Sequence, residues 1–489
     1  MNNLNLETLK SRFQNIPFKI IGVGVTAFNR VMPAFFLPDY RIVCYKNSSE
    51  LEEIGKKCQV VAIERDFKEG IKKLNSFAIL SHPEAQKYLK SLGRIGIFVY
   101  KSSEKIEEIC RQNGWRLIAN PPSIRDPYEN KKIFRETLEK IGIEPISGEI
   151  LKISEFNEGV FGKLQNKYGE DLVLKLPEVR QGGGKGNTFV SKPVDLKRFW
   201  QKVKELGEIY DLQHLIVEKK IRGVSPSITG CVTRFGVLTG VVQTQITDIP
   251  EVIDVKKGGG MFAGHDWSFC HYPEEVQNQA RKIAKRFGEY LYQKGYRGIF
   301  GIDLIVEEKT GKVYPCECNP RYTGAFPVYS MIQLRQGELP FDVFHLLEHL
   351  DLDYEMNFEE IQKLYWQKKE GAHLILYNRT SNWLKVEGEI KAGVYRFKEK
   401  ELEFLRPGFS LLEIKNQEEF VLTDGVPFKG QIIKPSLRIL KIIFPCRILE
   451  KEGKEVDART KKIVELVYQR LRLMPVTPPP EQMSEEVEF

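Results

Sequence analysis

The stretch Gly298-Ile299-Phe300-Gly301-Ile302-Asp303-Leu304-Ile305-Val306, then Lys309-Thr310-Gly311-Lys312, then Val313-Tyr314-Pro315-Cys316-Glu317-Cys318-Asn319-Pro320-Arg321 decides the fold. Two apolar runs joined by a turn containing glycine predict a β-hairpin. Residues two apart on a strand face the same side, so Glu317 and Asn319 point together. Asp303 can sit beside them on the neighbouring strand. Two carboxylates and an amide oxygen then converge on one spot. Such a hard-oxygen pocket suits a small divalent cation, Mg²⁺ (or Mn²⁺), which takes one or two carboxylates and leaves its other positions to phosphates and water. Clustered carboxylates with no cation would repel each other.

The chain of 489 residues has room for two to four domains. Its hydrophobic and charged fractions, 42% and 29%, are those of a soluble globular protein. A net charge of +8 is modest for this length and suits the handling of small anions; it gives no indication of nucleic acid. No apolar run approaches the roughly 18 residues of a membrane span. The start, Met1-Asn2-Asn3-Leu4-Asn5-Leu6-Glu7, lacks a basic segment followed by an apolar one, so no secretory signal is expected. The eight cysteines are scattered without a Cys-x-x-Cys pair. They predict reduced thiols in a cytoplasmic protein.

Upstream, short apolar runs alternate with helical patterns. Phe18 to Val25, Tyr40 to Cys44, Gln59 to Ile63, Phe77 to Leu80 and Ile95 to Tyr100 are predicted as buried strands, with helices over Ser48–Lys57, Pro83–Leu92 and Ser102–Asn113 between them. That alternation predicts an α/β domain with a parallel sheet over 1–120. Gly22-Val23-Gly24-Val25-Thr26-Ala27 is half a dinucleotide fingerprint. Its third glycine is missing and no acidic residue ends the second strand, so a tight strand-to-helix turn is favoured over NAD binding. A connector with a helix from Tyr128 to Ile141 leads into an α+β region, expected to divide at about residue 215. Residues 351–370 are helical and charged, as a linker would be. A smaller β-rich domain is expected over 371–475, closed by a helix from Val456 to Leu473. Residues 476–489 carry Pro478-Pro479-Pro480 and then acidic residues, and are expected to be a disordered tail.

Three further segments bear on chemistry. Lys175 lies inside the apolar run Leu172-Val173-Leu174-Lys175-Leu176, where burial without an anionic partner is costly. The loop Gln181-Gly182-Gly183-Gly184-Lys185-Gly186 follows, and glycine-rich loops can fold backbone N–H groups over phosphate oxygens. It is not a P-loop, since no Gly-Lys-[Ser/Thr] opens a helix. A snorkelling edge lysine is the alternative for Lys175. Next, His214-Leu215-Ile216-Val217-Glu218-Lys219-Lys220-Ile221-Arg222-Gly223 is a strand end of the kind that gives an adenine ring an apolar slot and a backbone donor–acceptor pair. Third, Gly258-Gly259-Gly260 followed by Met261-Phe262-Ala263-Gly264-His265-Asp266-Trp267 reads as a mobile lid, in which His265 and Asp266 either contact substrate or belong to a surface loop pinned by Trp267 and Phe269.

In this order—lysine strand, glycine loop, strand ending in Val-Glu-Lys, then Asp…Glu-x-Asn—the segments over roughly 125–330 resemble the ATP-grasp superfamily. The resemblance implies an ATP-grasp domain over 121–350 between a Rossmann-like domain and a C-terminal β domain like that of the biotin-carboxylase branch. It implies two lobes, about 121–215 and about 216–350, that grip ATP. It assigns Asp303, Glu317 and Asn319 to Mg²⁺ and Lys175 and Lys131 to the phosphates, with Lys132 as the fallback for Lys131. Gly182, Gly183, Gly184, Lys185 and Gly186 would cover the triphosphate, and Glu218, Lys219, Lys220 and Ile221 would form the adenine hinge. Arg321 would face the transferred phosphoryl group as a catalytic cation beside Lys175. The implied activity is an ADP-forming ligase that activates a carboxylate as an acyl phosphate and joins it to an amine or similar nucleophile. Carboxylase-type phosphorylation of bicarbonate and a non-catalytic ATP-binding regulator are the alternatives. Its partners would be small-molecule carboxylate and amine substrates, with no nucleic acid and no membrane. The oligomeric state is open, a homodimer being common in the family.

Two departures stand out. Ser225 occupies the place, two after the hinge glycine, where the family often has an acidic residue for ribose. After Arg321 the chain reads Tyr322-Thr323-Gly324-Ala325-Phe326-Pro327, not the Gln-Val-Glu-His of biotin carboxylation. Two other features predict structure alone: His345 and His349, four apart on an amphipathic helix, and the basic residues of Lys434 to Arg447, on alternating strands with a solvated face.

Overall fold

The computed structural model describes residues 6–71, 73–179, 186–254, 260–269, 272–450 and 453–477. The N-terminal unit contains β1 (Lys19–Gly24), β2 (Arg41–Cys44), β3 (Gln59–Ala62), β4 (Ile95–Phe98) and β5 (Arg116–Ile118), all parallel, in the order β3-β2-β1-β4-β5. Phe77–Leu80 is a correction: it lies in the helix Ser76–Ser81, and β5 supplies the remaining strand. A four-residue apolar run fits a buried strand or a buried helix equally well. The Asn75 side chain decides between them by accepting from Ala78 N–H as a helix cap. After β1 the chain enters 3₁₀ turns at Phe28–Arg30 and Met32–Phe35. The glycines of Gly22-Val23-Gly24 make room for side chains: a Cβ on Gly24 would meet the Arg30 guanidinium at 2.7 Å.

The next unit contains β6 (Gly148–Lys152), β7 (Leu172–Lys175), β8 (Asn187–Val190) and β9 (His214–Lys219), antiparallel in the order β6-β9-β7-β8. The helices Glu158–Tyr168 and Asp195–Gly207 accompany it, and Phe161, Leu164, Leu196 and Phe199 join one apolar cluster with Leu172, Leu174 and Val217.

A larger sheet begins with β10 (Gly223–Val224), β11 (Pro226–Thr233), β12 (Gly236–Thr247), β13 (Phe262–Asp266), β14 (Gly298–Glu307) and β15 (Val313–Asn319). The C-terminal strands are β16 (Ala372–Tyr377), β17 (Trp383–Val386), β18 (Gly393–Lys398), β19 (Glu401–Arg406), β20 (Glu419–Thr423), β21 (Ile432–Ile433), β22 (Arg438–Phe444) and β23 (Leu473–Val476). The sheet does not stop at the end of the first group. It runs β10-β14-β11-β12-β13-β16-β22-β20-β18-β19, with β15 on β14, so the C-terminal strands continue it through β13 and β16. β21, β17 and β23 form a separate small sheet.

Several expectations are corrected here. His265 and Asp266 lie inside β13, paired with His373 and Ala372 of β16, rather than on a lid. Two lines of backbone hydrogen bonds hold them, and residues 255–259 of the glycine segment lie outside the described residues. β22 has no solvated face: from Ile439 to Phe444 both sides are buried, and Lys441 is ion-paired to Asp424 at 3.0 Å. The span 351–370 is packed: its helix Phe358–Tyr365 sends Gln362 to β12, where the side chain accepts from Thr239 N–H at 2.9 Å and donates to Thr239 O at 2.7 Å. Pro475 and Val476 belong to β23, paired with Leu384 and Trp383; the tail from 478 lies outside the described residues. The helix Phe341–Leu350 is buried almost all round rather than amphipathic, and His345 Nδ1 accepts from Ile299 N–H at 3.2 Å.

The N-terminal unit is fastened to both neighbours. Asn120 exchanges two hydrogen bonds with the Arg297 backbone, at 2.7 and 3.0 Å. Glu50 accepts from Gly425 N–H at 2.6 Å, and Thr26 donates to Asp424 at 2.7 Å. Tyr100 stacks on Tyr322 with ring centroids 4.3 Å apart.

The β13–β16 seam generates a prediction. Gly264 has φ +154, and an added Cβ would sit 1.9 Å from the His373 carbonyl oxygen. Gly264→Ala is expected to cost about 2 kcal/mol or more. A lower urea midpoint in equilibrium unfolding checks it; an unchanged midpoint would show that the seam yields.

Candidate functional site

The hairpin forms with the register its spacing predicts. Asp303 lies directly opposite Glu317, and Gly301 opposite Asn319. A register shift between Asp303 and Leu304, which pairs with Pro315, leaves Cys316 as the extra residue of a bulge. Directly opposite residues of an antiparallel pair have Cβ atoms roughly 4.5–5.5 Å apart, so the two carboxylates confront each other.

Every neighbour of this pair eases that confrontation. Gln245 Nε2 donates to Asp303 Oδ1 at 2.6 Å, and Asn319 Nδ2 donates to Asp303 Oδ2 at 3.0 Å. Lys131 Nζ is 3.1 Å from Glu317 Oε2. Arg321 Nη2 donates to Asn319 Oδ1 at 2.9 Å, which ties the guanidinium to the same group. Even so, burial and then the Glu317 charge push the Asp303 carboxyl up to about 7, against the donors Gln245 and Asn319 and the charge of Arg321. A site that raises one carboxylate against another has the donor chemistry of a divalent cation, so Asp303, Glu317 and Asn319 could hold Mg²⁺. Among the described residues no group of three or more His, Cys, Asp or Glu is arranged for a metal.

The strand lysine has its anion. Lys175 pairs with Glu218, and Glu218 also meets Arg135 at 2.9 Å. The register explains the contact: Glu218 is opposite Val173, two residues from Lys175 on the same face. Burial lowers the Lys175 pKa, but Glu218, Cys316 and Glu317 outweigh it and raise it overall. Lys175 therefore feels acidic charge both from Glu218 on β9 and from Glu317 on the hairpin. Arg135 anchors the arrangement by donating to Ile146 O at 2.7 Å and Gly148 O at 3.0 Å. Lys219, the last residue of β9, donates its N–H to Ser147 O; beyond it Lys220 N–H donates to Asp171 O, and Ile221 follows half-buried. Lys132 points elsewhere, toward Glu136 at 3.7 Å. Of the glycine loop only Gly186 is described, its carbonyl accepting from Leu176 N–H; Gly182, Gly183, Gly184 and Lys185 lie outside the described residues. Ser225 is exposed, between β10 and β11.

His265 and Asp266 are not brought to this group as a substrate loop. Asp266 is fully buried and accepts from the N–H groups of Phe269, Ile448 and Leu449, a structural role that pins the segment after β22. Burial, countered by those three donors, still raises its carboxyl to about 6. His265 is buried among Phe262, Trp267 and His373, and burial drops its pKa to about 3.

Three contributors are not singled out by the sequence: Gln245, Arg135, and Glu129, whose Oε1 accepts from Arg321 Nε at 3.1 Å. Gln243-Thr244-Gln245, a polar break in an otherwise apolar strand, was the available signal for Gln245. Glu129 and Arg135 are single charges on charged helices, where nothing local singles them out.

Residues 165–325 match the family model described as the ATP-grasp domain. These residues form an ATP-grasp domain. The match takes in Lys175, the hinge, and the hairpin through Arg321. A curated relative, the formate-dependent phosphoribosylglycinamide formyltransferase of Thermococcus kodakarensis, is 29% identical over 143 residues, which are 29% of this chain and 31% of that protein. The chain thus matches about a third of that relative's length. Among solved structures, biotin carboxylase from Campylobacter jejuni superposes with TM-score 0.60 at 14% identity, covering 94% of this chain and 92% of that one. The biotin carboxylase domain of Hydrogenobacter thermophilus 2-oxoglutarate carboxylase, solved as a dimer with MgADP, ADP and bicarbonate, gives 0.58 at 15%, covering 88% and 86%. Carboxyaminoimidazole ribonucleotide synthase from Aspergillus clavatus, complexed with ATP, gives 0.54 at 16%, covering 93% and 99%. These likenesses extend the shared fold beyond the ATP-grasp domain to nearly the whole chain. No helix among the described residues is long and apolar enough to cross a membrane.

The raised Asp303 carboxyl carries a sign. Its folded pKa lies above the unfolded value, so its contribution to metal-free stability falls as pH rises from about 4 to about 7. Asp303→Asn is expected to flatten that slope and to raise the thermal midpoint of the metal-free protein at pH 8 by a few °C, on the order of 1 kcal/mol or more. Any stabilisation that Mg²⁺ with ATP gives the wild type should be lost in the same variant. Thermal melts between pH 4.5 and 8, with and without Mg-ATP, check both.

Proposed function

We propose that this protein is an ATP-dependent, ADP-forming ligase that phosphorylates a carboxylate and passes the acyl group to an amine or similar nucleophile. The observation that carries this is the hairpin: Asp303 opposite Glu317, with Lys131 on Glu317 and Arg321 on Asn319. Two carboxylates, as a metal would need, and two cations, as phosphate would need, lie within one small group, which supports this reading. Under this reading Glu218, held by Arg135, marks the nucleotide's base end, Lys175 beside it meets the phosphates, and Lys131 and Arg321 lie at the γ-phosphate end. Mg²⁺ held by Asp303, Glu317 and Asn319 would supply charge neutralisation for the phosphates.

The chemistry then follows from charge. An oxygen of the carboxylate attacks the γ-phosphorus, the bond to the β-phosphate oxygen breaks, and ADP leaves. Two anions must approach, so fixed cations at the meeting point do most of the work. Lys131 is buried and already oriented by Glu317, and Arg321 is oriented by two neighbours. Neither needs to reorganise as the reaction proceeds. The acyl phosphate is activated toward displacement, so no general base is strictly required.

The departure after Arg321 separates this chain from the biotin-carboxylating branch whose fold it shares. Small acids nevertheless belong in any substrate panel, because the curated relative is by its name formate-dependent and one structural neighbour was solved with bicarbonate. The test is purified full-length protein with Mg-ATP and a panel of carboxylates, bicarbonate and amines. ADP and phosphate are expected, released only when an acid is present. AMP and pyrophosphate would contradict the proposal. Arg321→Ala is expected to lower kcat by about 10²-fold or more, as loss of a preorganised charge does at comparable sites. Steady-state kinetics with the stimulating acid reads it.

A further inference from the structure

Glu129 ends the helix Pro122–Glu129, and its residue is only 8% exposed. Three cations surround its carboxylate. Lys101 Nζ lies 2.9 Å from Oε2, while Arg125 Nη1 at 2.9 Å and Arg321 Nε at 3.1 Å share Oε1. Burial would raise this carboxyl, but the charges of Lys101, Arg321 and Arg125 carry it down to about 2. It stays ionised at any working pH.

The three cations are not equivalent. The Arg125 side chain is 3% exposed and already committed: it pairs with Asp126 and donates to Ser102 O at 2.8 Å. Lys101 and Arg321 keep 33% and 27% of their side chains exposed. Lys101 comes from the N-terminal unit, just beyond β4, while Arg321 follows the hairpin. Even with Asp126 set against Arg125, positive charge in the cluster exceeds negative by one. Burial and the neighbouring Arg321 and Arg125 charges hold the Lys101 pKa below its ordinary value against the pull of Glu129. An arriving anion would relieve that repulsion, as a structural ion pair that balanced would not.

We propose that Lys101 and Arg321 together receive the oxyanion of the acid that is phosphorylated, and that Glu129 is the positioning residue that holds both cations in place. The inference rests on the ligase reading and adds to it the first contact from the N-terminal unit. It states the class of group recognised: a planar carboxylate or bicarbonate, presented beside Asn319 and the hairpin metal site. Two half-exposed donors on one buried carboxylate hold such a group in a fixed orientation, which is where much of the rate of a two-substrate reaction originates.

The test uses full-length protein and acid-stimulated Mg-ATP hydrolysis, with bicarbonate, formate and acetate as separate probes. Lys101→Ala is expected to raise the KM of the stimulating acid at least about tenfold, with the KM of ATP within about twofold of wild type, and Lys101→Arg is expected to recover most of the loss. Glu129→Gln is expected to lower kcat and raise the acid KM together, again sparing the KM of ATP, and Glu129→Asp to recover part of both. A merely structural Glu129 would move the ATP and acid constants alike, and that result would overturn its positioning role. Lys101 is one-third exposed, so its variants carry the test should Glu129→Gln fail to fold. A wild type stimulated by an acid, with Lys101→Ala showing the same acid KM, would sink this inference and leave the ligase reading standing. A wild type stimulated by no acid would sink the ligase reading, and the inference with it. Which probe works, bicarbonate or an organic acid, identifies the source of the oxyanion.

Discussion

Two carboxylates facing each other across a hairpin are the constraint around which this protein is organised. Asp303 and Glu317 are opposed by the register of β14 and β15. Gln245 and Asn319 donate to one, Lys131 pairs with the other, and Arg321 is tied in through Asn319. The donors come from β12, from β15 itself and from the helix Lys131–Lys140, so three separately folded elements must converge for the pair to be tolerated. Burial, and after it the Glu317 charge, still pushes the Asp303 carboxyl up to about 7, so the protein alone leaves an ionised Asp303 partly uncompensated. A fold retains that kind of local cost where a ligand removes it.

The rest of the architecture supports the hairpin from two sides. The sheet that contains β14 extends through the β13–β16 seam into the C-terminal strands, so the hairpin sits near one end of a long, continuous hydrogen-bonded surface. The N-terminal unit is fixed to that surface by Asn120 on Arg297, by Glu50 on Gly425 and Val426, and by Thr26 and Asn29 on Asp424. These contacts keep Lys101 at Glu129 and thus beside Arg321. The four-stranded unit carries Lys175 and Glu218, and the Glu317 charge of the hairpin reaches Lys175. The cations gathered at the hairpin carboxylates and at Glu129 thus come from separate stretches of chain: Lys101, Arg125, Lys131 and Arg321.

How much of this was legible depended on distance along the chain. The hairpin was readable because its information is local: two apolar runs, a turn, and acids at period two. The parallel sheet was readable from strand–helix alternation except at Phe77–Leu80, where an apolar tetrad is ambiguous and the capping Asn75 carried the missing information. That Lys175 needed an anion followed from burial alone, but that the anion is Glu218, 43 positions on, depends on strand register. Glu129 was illegible for the same reason: its meaning comes from Lys101 and Arg321, which reach it from two other units. His265 and Asp266 misled because glycines precede them and because β13, Phe-Ala-Gly-His-Asp, is buried almost throughout and shows no strand-like alternation. The continuity of the C-terminal strands with the main sheet could not be read at all, since edge-to-edge pairing of β13 and β16 leaves no mark in composition.

The central claim is that an acid's own oxygen attacks the γ-phosphate at this site. Its most direct test is the fate of that oxygen. With the stimulating acid labelled with ¹⁸O in its carboxylate, turnover with Mg-ATP and the amine acceptor should transfer one labelled oxygen to each phosphate released, visible as an isotope shift in the ³¹P spectrum. Phosphate that carries oxygen only from ATP and solvent would contradict the account.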